Sequence, residues 1–211
     1  VETPEIKRYG GYFMAKRNVT KEEDAVRDEI ISTLSKVKRD GMDDLIACMD
    51  LNGFFDAPAS GGNHEHEPGG LARHSLNVFH TIEKMGAALL GDGYANICES
   101  AWICALLHDL GKMGDYGKQM YVPNILKSGK QSESKPWERN KDLLPIDHAT
   151  RSVKIASLYI DLTEHEEFAI RYHDGLYETA NYGVKGNETP LYMLLHWADM
   201  WASKILEGSE K

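Results

Sequence analysis

Apolar residues recur every three or four positions along most of the chain, the spacing of one face of an α-helix. Val26, Ile30, Leu34 and Val37 form the first such series, opened by Thr20 and Glu23 in the spacing of a capping box. A second helix is predicted from Asp43 to Leu51, stopped by Asn52-Gly53, and Gly61-Gly62 and Pro68-Gly69-Gly70 mark loops. The third helix runs from about Leu71 to Leu90 and ends at Gly91-Asp92-Gly93. The fourth runs from about Asn96 to Asp109 and ends at Gly111.

The stretch from Gly114 to Leu144 breaks this pattern. It holds Pro123, Gly129 and Pro136, a short β-like run at Tyr121-Val122, and a basic series of Lys127, Lys130, Lys135, Arg139 and Lys141. It reads as a long excursion with a small hairpin, either an active-site cover or a solvated surface loop. Helices resume at Asp147, an N-cap residue. Thr163 with Glu166 is a second capping box, opening a short helix to about Asp174, and Gly175 to Glu188 is a loop. Thr189 caps a last helix with Pro190 at its first position. The fold class expected is all-α, a helical bundle with a small irregular or β-hairpin excursion.

Several polar residues fall on the apolar stripes. In the fourth helix His108 aligns with Ile97, Ala101 and Cys104, and Asp109 follows it. In the last helix Asp199 lies within the stripe of Leu191, Leu195, Ala198, Ala202 and Leu206. His74 sits with Leu71, Val78, Ile82 and Met85, and His148 with Ser152, Ile155 and Tyr159. An ionised Asp facing a core is costly unless something positive meets it. A salt bridge explains one such Asp, and a hydrogen-bonded core histidine explains one such His. Several from separate helices point instead to convergence on a cation, for which imidazoles and carboxylates suit zinc, iron, manganese or a related ion.

Bulk properties narrow the classes. The 211 residues suit one sizeable domain, with 42% hydrophobic and 27% charged residues. A formal net charge of −9 argues against broad charge-driven binding to nucleic acid, though not against a phosphorylated substrate bound beside metal. Cys48, Cys98 and Cys104 are odd in number and lack CxxC spacing, so reduced thiols in a cytoplasmic protein are expected. No apolar run approaches the roughly 18 residues of a membrane span. The polar start from Val1 to Gly10 lacks a signal-peptide stretch, and Val in place of Met at position 1 suggests that part of the natural N-terminus is missing.

The run Ala105-Leu106-Leu107-His108-Asp109-Leu110-Gly111-Lys112 resembles the signature of the HD-domain metal-dependent phosphohydrolases. Gly69-Gly70-Leu71-Ala72-Arg73-His74-Ser75-Leu76 resembles that superfamily's first-histidine helix, and Leu195-His196-Trp197-Ala198-Asp199 its final metal Asp. His148 in Asp147-His148-Ala149 and His173 in Arg171-Tyr172-His173-Asp174-Gly175 fall where two-metal branches carry extra histidines. Some branches have His-His-Gly where this chain has His173-Asp174-Gly175. The stretch from Gly41-Met42 to Ala59-Ser60 is similar to the lead-in of bacterial and phage hydrolases of the superfamily. The resemblance extends to the HD module of bacterial 3′–5′ exoribonucleases and to two-metal diadenosine tetraphosphate hydrolases. It spans about Asp40 to Leu206 and implies an HD domain over 41–211, with an N-terminal helix and extension over 1–40 packing on it.

The resemblance implies a site with one or two divalent ions, among which Fe, Mn, Zn, Ni, Co and Mg are not distinguished. One metal would take His74, His108, Asp109 and Asp199. A second would share Asp109 and add His148 and His173, with Asp174 as a candidate further ligand. A metal-activated water would then cleave a phosphate ester or anhydride of a nucleotide or other phosphorylated small molecule. Catalytic roles are expected for Asp109, for Lys112 (a phosphate contact or a salt bridge to a ligand carboxylate) and for His66. His66 and its neighbour His64 are candidates for a substrate-phosphate contact or leaving-group acid, against a plain polar loop. Arg171, Tyr172, Tyr177 and Lys130 are candidate substrate-binding residues, and His80, His165 and His196 are not expected to be ligands. Two other readings remain open: a 3′–5′ exonuclease on short RNA or DNA, favoured by the basic loop with Trp137, and a non-catalytic nucleotide-binding sensor module.

Overall fold

Local chemistry sets most of the helix starts. The computed structural model describes residues 19–208, so the part of the N-terminal extension before residue 19 lies outside the described residues. In chain order the elements are α1 (Lys21–Leu34), α2 (Met42–Leu51), α3 (Gly70–Leu90), α4 (Cys98–Leu107), β1 (Tyr121–Pro123), β2 (Trp137–Arg139), α5 (His148–Ala156), α6 (Glu164–Arg171) and α7 (Pro190–Trp201). Both capping boxes form. Thr20 and Glu23 exchange backbone–side-chain hydrogen bonds at α1, and Thr163 and Glu166 do so at α6. Asp147 accepts from the Thr150 amide at 2.7 Å, and Thr189 accepts from the Tyr192 amide ahead of α7. Each such cap contributes about 1 kcal/mol and fixes where its helix begins.

The boundaries differ from the expected ones where glycine and short-range bonding intervene. α4 is shorter than Asn96–Asp109 at both ends. Gly91–Asn96 forms a 3₁₀ turn before it, and the chain leaves the α-helix at Leu107, so His108 and Asp109 stand at its end ahead of a second 3₁₀ turn, Leu110–Met113. α6 stops at Arg171 rather than near Asp174. The stretch read as a plain loop after Gly175 contains 3₁₀ turns at Gly175–Tyr177 and Thr179–Val184, held by the buried Asn181 side chain donating to Gly175 O at 3.1 Å. Val37 lies beyond the end of α1 but is still buried in the core.

α4 is the central helix. The consecutive residues Ile103, Cys104, Ala105, Leu106 and Leu107 are all buried, so apolar groups cover its whole circumference. The single stripe predicted from Ile97 to His108 therefore described one side of a helix that is packed on all of them. On one side Ile103 and Leu106 join Ile30 and Leu34 of α1, Leu45 and Met49 of α2, Leu71 of α3 and Ile155 of α5. On the other, Ala101 and Cys104 join Val78 and Ile82 of α3, Ile170 of α6 and Leu195 and Ala198 of α7.

The excursion between α4 and α5 carries a two-stranded antiparallel sheet in which Tyr121 faces Arg139 and Pro123 faces Trp137. The fold is thus mostly helical with one small hairpin. Buried Arg151 of α5 fastens both ends of the excursion, donating to Asp115 at 3.0 Å and to Leu144 O at 2.8 Å, and Lys154 adds a second bond to Asp115. No helix of the described residues is long and apolar enough to cross a membrane.

Candidate metal centre

Helix ends deliver the polar residues to one place. His74 lies in the first turns of α3, His108 and Asp109 follow the end of α4, His148 opens α5, His173 and Asp174 follow α6, and Asp199 lies in α7. Gly111 makes the approach of α5 feasible. A Cβ there would lie 2.3 Å from His148 O and 2.6 Å from Arg151 Cβ, and the Gly111 amide donates to Ser152 Oγ at 2.8 Å. The glycine of the His-Asp-x-Gly-Lys run thus lets α5 press its first residue against the end of α4.

The two Asp109 oxygens face two groups of ligand atoms. Oδ2 is 3.5 Å from His74 Nε2 and 3.5 Å from His108 Nε2. Those two nitrogens are 3.3 Å apart, and Asp199 Oδ1 is 3.2 Å from His74 Nε2. Oδ1 is 3.2 Å from His148 Nε2 and 3.6 Å from His173 Nε2. Asp174 completes that side, 3.5 Å from His148 Nε2 and 3.8 Å from His173 Nε2. Sets drawn from both groups, His74–His108–Asp199 and His148–His173–Asp174, are compact enough to hold an ion.

The outer nitrogens of three imidazoles are anchored. His108 Nδ1 donates to Ala105 O at 2.9 Å, and His173 Nδ1 donates to Ile170 O at 2.8 Å, each to the carbonyl three residues back. His74 Nδ1 meets the Glu207 carboxylate at 3.0 and 3.1 Å. A proton held on Nδ1 leaves Nε2 with a lone pair turned inward, the orientation of metal-ligating histidines. Asp109 Oδ1 is buried and, with His148 Nε2 at 3.2 Å and His173 Nε2 at 3.6 Å, finds no well-formed hydrogen bond among the described residues, which is costly for a carboxylate oxygen. A cation between Asp109, His148 and His173 satisfies that oxygen, and this fit is independent of any motif.

The electrostatics are those of a site built for positive charge. Burial opposes ionisation of Asp109, but charge on Lys112 and His108 outweighs it and holds the carboxyl well below the usual range. Burial likewise opposes charge on His74 and His173. Hydrogen bonds to Asp199 and Glu207 push His74 up to about 10, and the nearby carboxylates of Asp109 and Asp174 push His173 up to about 9. Burial keeps His108 below its ordinary value. Protons therefore neutralise the carboxylates where no metal does, and a metal must displace them.

The remaining expected residues are distributed unevenly. Lys112 Nζ is 2.6 Å from Asp109 Oδ2, the salt bridge of its two expected roles. His66 pairs with Glu67 at 3.4 Å, while His64 is the one that packs on a candidate ligand, its ring 5.2 Å from that of His74. Arg171 is 3.4 Å from Asp147 and stacks over Tyr172. Tyr177 is exposed and lines an apolar cleft of about 560 Å³ with Tyr192, Met193 and Trp197. Lys130 is exposed in the excursion. Of the histidines not expected as ligands, His80 pairs with Glu29 at the surface, His165 is exposed, and His196 donates to His173 O at 2.7 Å.

Sequence reasoning missed Glu207 and Tyr121. Glu207 follows a π-helical turn, Ala202–Leu206, that continues α7, and also accepts from Asn77 Nδ2 at 2.9 Å. Tyr121 of β1 is raised by burial and lies in the electrostatic field of Lys112, Asp109 and Arg139. Comparison with protein families, with curated proteins and with solved structures finds no match for the chain.

Proposed function

We propose that the chain is a metal-dependent phosphohydrolase of the HD type, cleaving a phosphate ester or anhydride of a nucleotide. The observation that carries this reading is the sharing of Asp109 between two groups of imidazole and carboxylate atoms. In this reading His74, His108, Asp109 and Asp199 hold one divalent ion, and Asp109, His148, His173 and Asp174 hold a second. Bound, the ions acidify water and screen phosphate oxygens.

The chain's own residues supply the rest. Asp109 would be shared by both ions, and His108 and His173 are oriented by the carbonyls behind them. Lys112, 13% exposed and paired with Asp109, keeps a positive charge where an anionic phosphate would arrive and could contact it as a point charge. Asp174, 42% exposed, stands at the open side of the second group, so substrate has a path to that group. The acidic net charge favours a small nucleotide over a polynucleotide. So does Trp137, half-buried with its indole N–H donated to His66 O at 2.7 Å, which leaves it a poor stacking platform for single strands.

Elemental analysis of purified protein, with turnover of bis(4-nitrophenyl) phosphate and a nucleotide panel, tests the reading. About two divalent ions per chain and measurable hydrolysis are expected, and His108→Ala and Asp109→Ala should each abolish turnover and most bound metal. Retention of both metal and turnover in the two variants overturns the assignment.

A further inference from the structure

α7 is apolar around most of its circumference, yet the fold packs only part of it. Leu191, Leu194, Leu195, Ala198 and Ala202 are buried in the core. Met193 and Met200 are only partly buried on the far side, and Trp197 and Trp201 are exposed there. A helix that is hydrophobic all round is ordinarily buried all round. Four positions separate Trp197 from Trp201, so the two indoles share one face.

The turn after Asp174 builds a cleft against that face. Gly175, at φ +60, lets the chain come close, since a Cβ there would lie 2.4 Å from His196 Cε1. Leu176 and Tyr177 follow, and with Met193 and Trp197 they line the cleft of about 560 Å³. Tyr177 reaches across to Met200, its hydroxyl 3.8 Å from Sδ. It is nevertheless 82% exposed, and Trp201, one helical turn beyond Trp197, is 53% exposed. One face therefore carries an apolar hollow and, beside it, an indole standing in solvent.

The area is that of a contact surface. Leu176, Tyr177, Trp197, Trp201 and Ile205 are all exposed. Together they leave on the order of 600 Å² of apolar surface in water, taking roughly 150–250 Å² for a whole aromatic side chain. That is the upper end of the range for a patch on an ordinary monomer, about 300–600 Å². It is also most of the ~800 Å² that each partner buries in a stable protein–protein interface. Aromatic residues and Met are the types enriched in such interfaces.

We infer that this face is an interface between two copies of the chain, in which the Trp201 indole of each copy enters the cleft of the other. Hollow and projection lie on one face, a turn of helix apart. A two-fold axis crossing α7 between them brings both pairs together at once, so the face is complementary to itself and needs no second kind of protein. Tyr177, expected at a nucleotide, then lines a partner site. The inference is independent of the phosphohydrolase reading, because it uses no candidate metal ligand.

Sedimentation equilibrium of the full chain tests this. A dimer is expected, with a dissociation constant on the order of micromolar or tighter. Trp201→Lys removes the projection and Met193→Trp fills the hollow. Each should weaken the dimer at least about 100-fold, as loss of a central aromatic anchor does. Circular dichroism should show wild-type helix content in both, and Tyr177→Lys replaces Met193→Trp if that variant loses helix. Leu51→Lys, at an exposed residue of α2 on the other side of α4, should dimerise as the wild type does. Dissociation in that control, or a wild-type dimer in the cleft variant, overturns the seating of Trp201 in the cleft. A chain that is monomeric throughout overturns the inference as a whole, and quenching of its tryptophan emission by adenosine would then assign the cleft to a nucleobase.

Discussion

Glu207 shows how much one carboxylate can decide at this site. Its side chain is 1% exposed, and it meets His74 Nδ1 and Asn77 Nδ2. Replacing it with Gln removes the charge that fixes the His74 proton on Nδ1, so Nε2 is no longer reserved for a metal. Glu207→Gln should weaken divalent-metal affinity about 10- to 100-fold, measured by competition with a chromogenic chelator, while helix content stays unchanged. Wild-type affinity in that variant would show that His74 needs no such partner. His74, His108 and Asp199 were legible because each falls on or within an apolar helical stripe, where a polar group demands explanation, and Asp109 because it follows His108. Glu207 was not, because the turn before it bonds i to i+5, closing from the Glu207 amide to Ala202 O, and a period of 3.6 does not carry through such a turn. His64 was seen only as one of two loop histidines. Which of them turns inward depends on the Ser60 hydroxyl, which donates to His64 O at 2.6 Å, and on the positive φ of Glu65, neither of which has a periodic signature.

Between elements, the decisive contact is the seat of α5 on the turn that follows α4. Gly111→Ala places a methyl group 2.3 Å from His148 O, where the neighbouring atoms are backbone or the Arg151 Cβ and cannot step aside. α5 must shift, and with it His148. The expected outcome is a destabilisation of about 1–3 kcal/mol in urea melts. Elemental analysis should show metal falling from two toward one per chain, because His148 belongs to only one of the two groups. A variant with two metals and an unchanged midpoint would remove this role for Gly111. Helix starts were legible here because a cap is a local device: Thr20 with Glu23, Thr163 with Glu166, Asp147 and Thr189 all sit where their side chains bond. Helix ends were less so. The end of α4 is set by the need to release His108 and Asp109 toward α3 and α5, a tertiary demand, and the 3₁₀ turns after Gly175 are held by buried Asn181, which sequence alone reads as a loop residue.

Across the whole molecule, the N-terminal third is joined to the second half by an ion pair as well as by apolar packing. Arg39, between α1 and α2, donates to both oxygens of Glu166 in α6 at 2.6 and 2.7 Å, and Glu166 is fully buried. Burial opposes the Glu166 charge, but the Arg39 bonds outweigh it and hold the carboxyl below its ordinary value of 4.5. A carboxyl whose folded pKa is depressed adds stability that is present above its unfolded pKa and is lost as pH falls through the folded one. Glu166→Gln removes that contribution at neutral pH. Arg39 keeps Asp161 O at 2.7 Å and Glu99 at 3.6 Å, so the loss is smaller than for a guanidinium left bare, about 2–3 kcal/mol. Urea midpoints of wild type and Glu166→Gln should therefore differ most near pH 7 and converge as the pH falls below 4.5, since protonation gives the wild type the same uncharged side chain. A constant gap across that range would show that the difference does not come from the Glu166 charge. Metal binding should be nearly unchanged in the variant at pH 7, because among the described residues Arg39 and Glu166 make no hydrogen bond or ion pair with a candidate ligand, and this separates the joint that holds the fold together from the cluster proposed to do the chemistry.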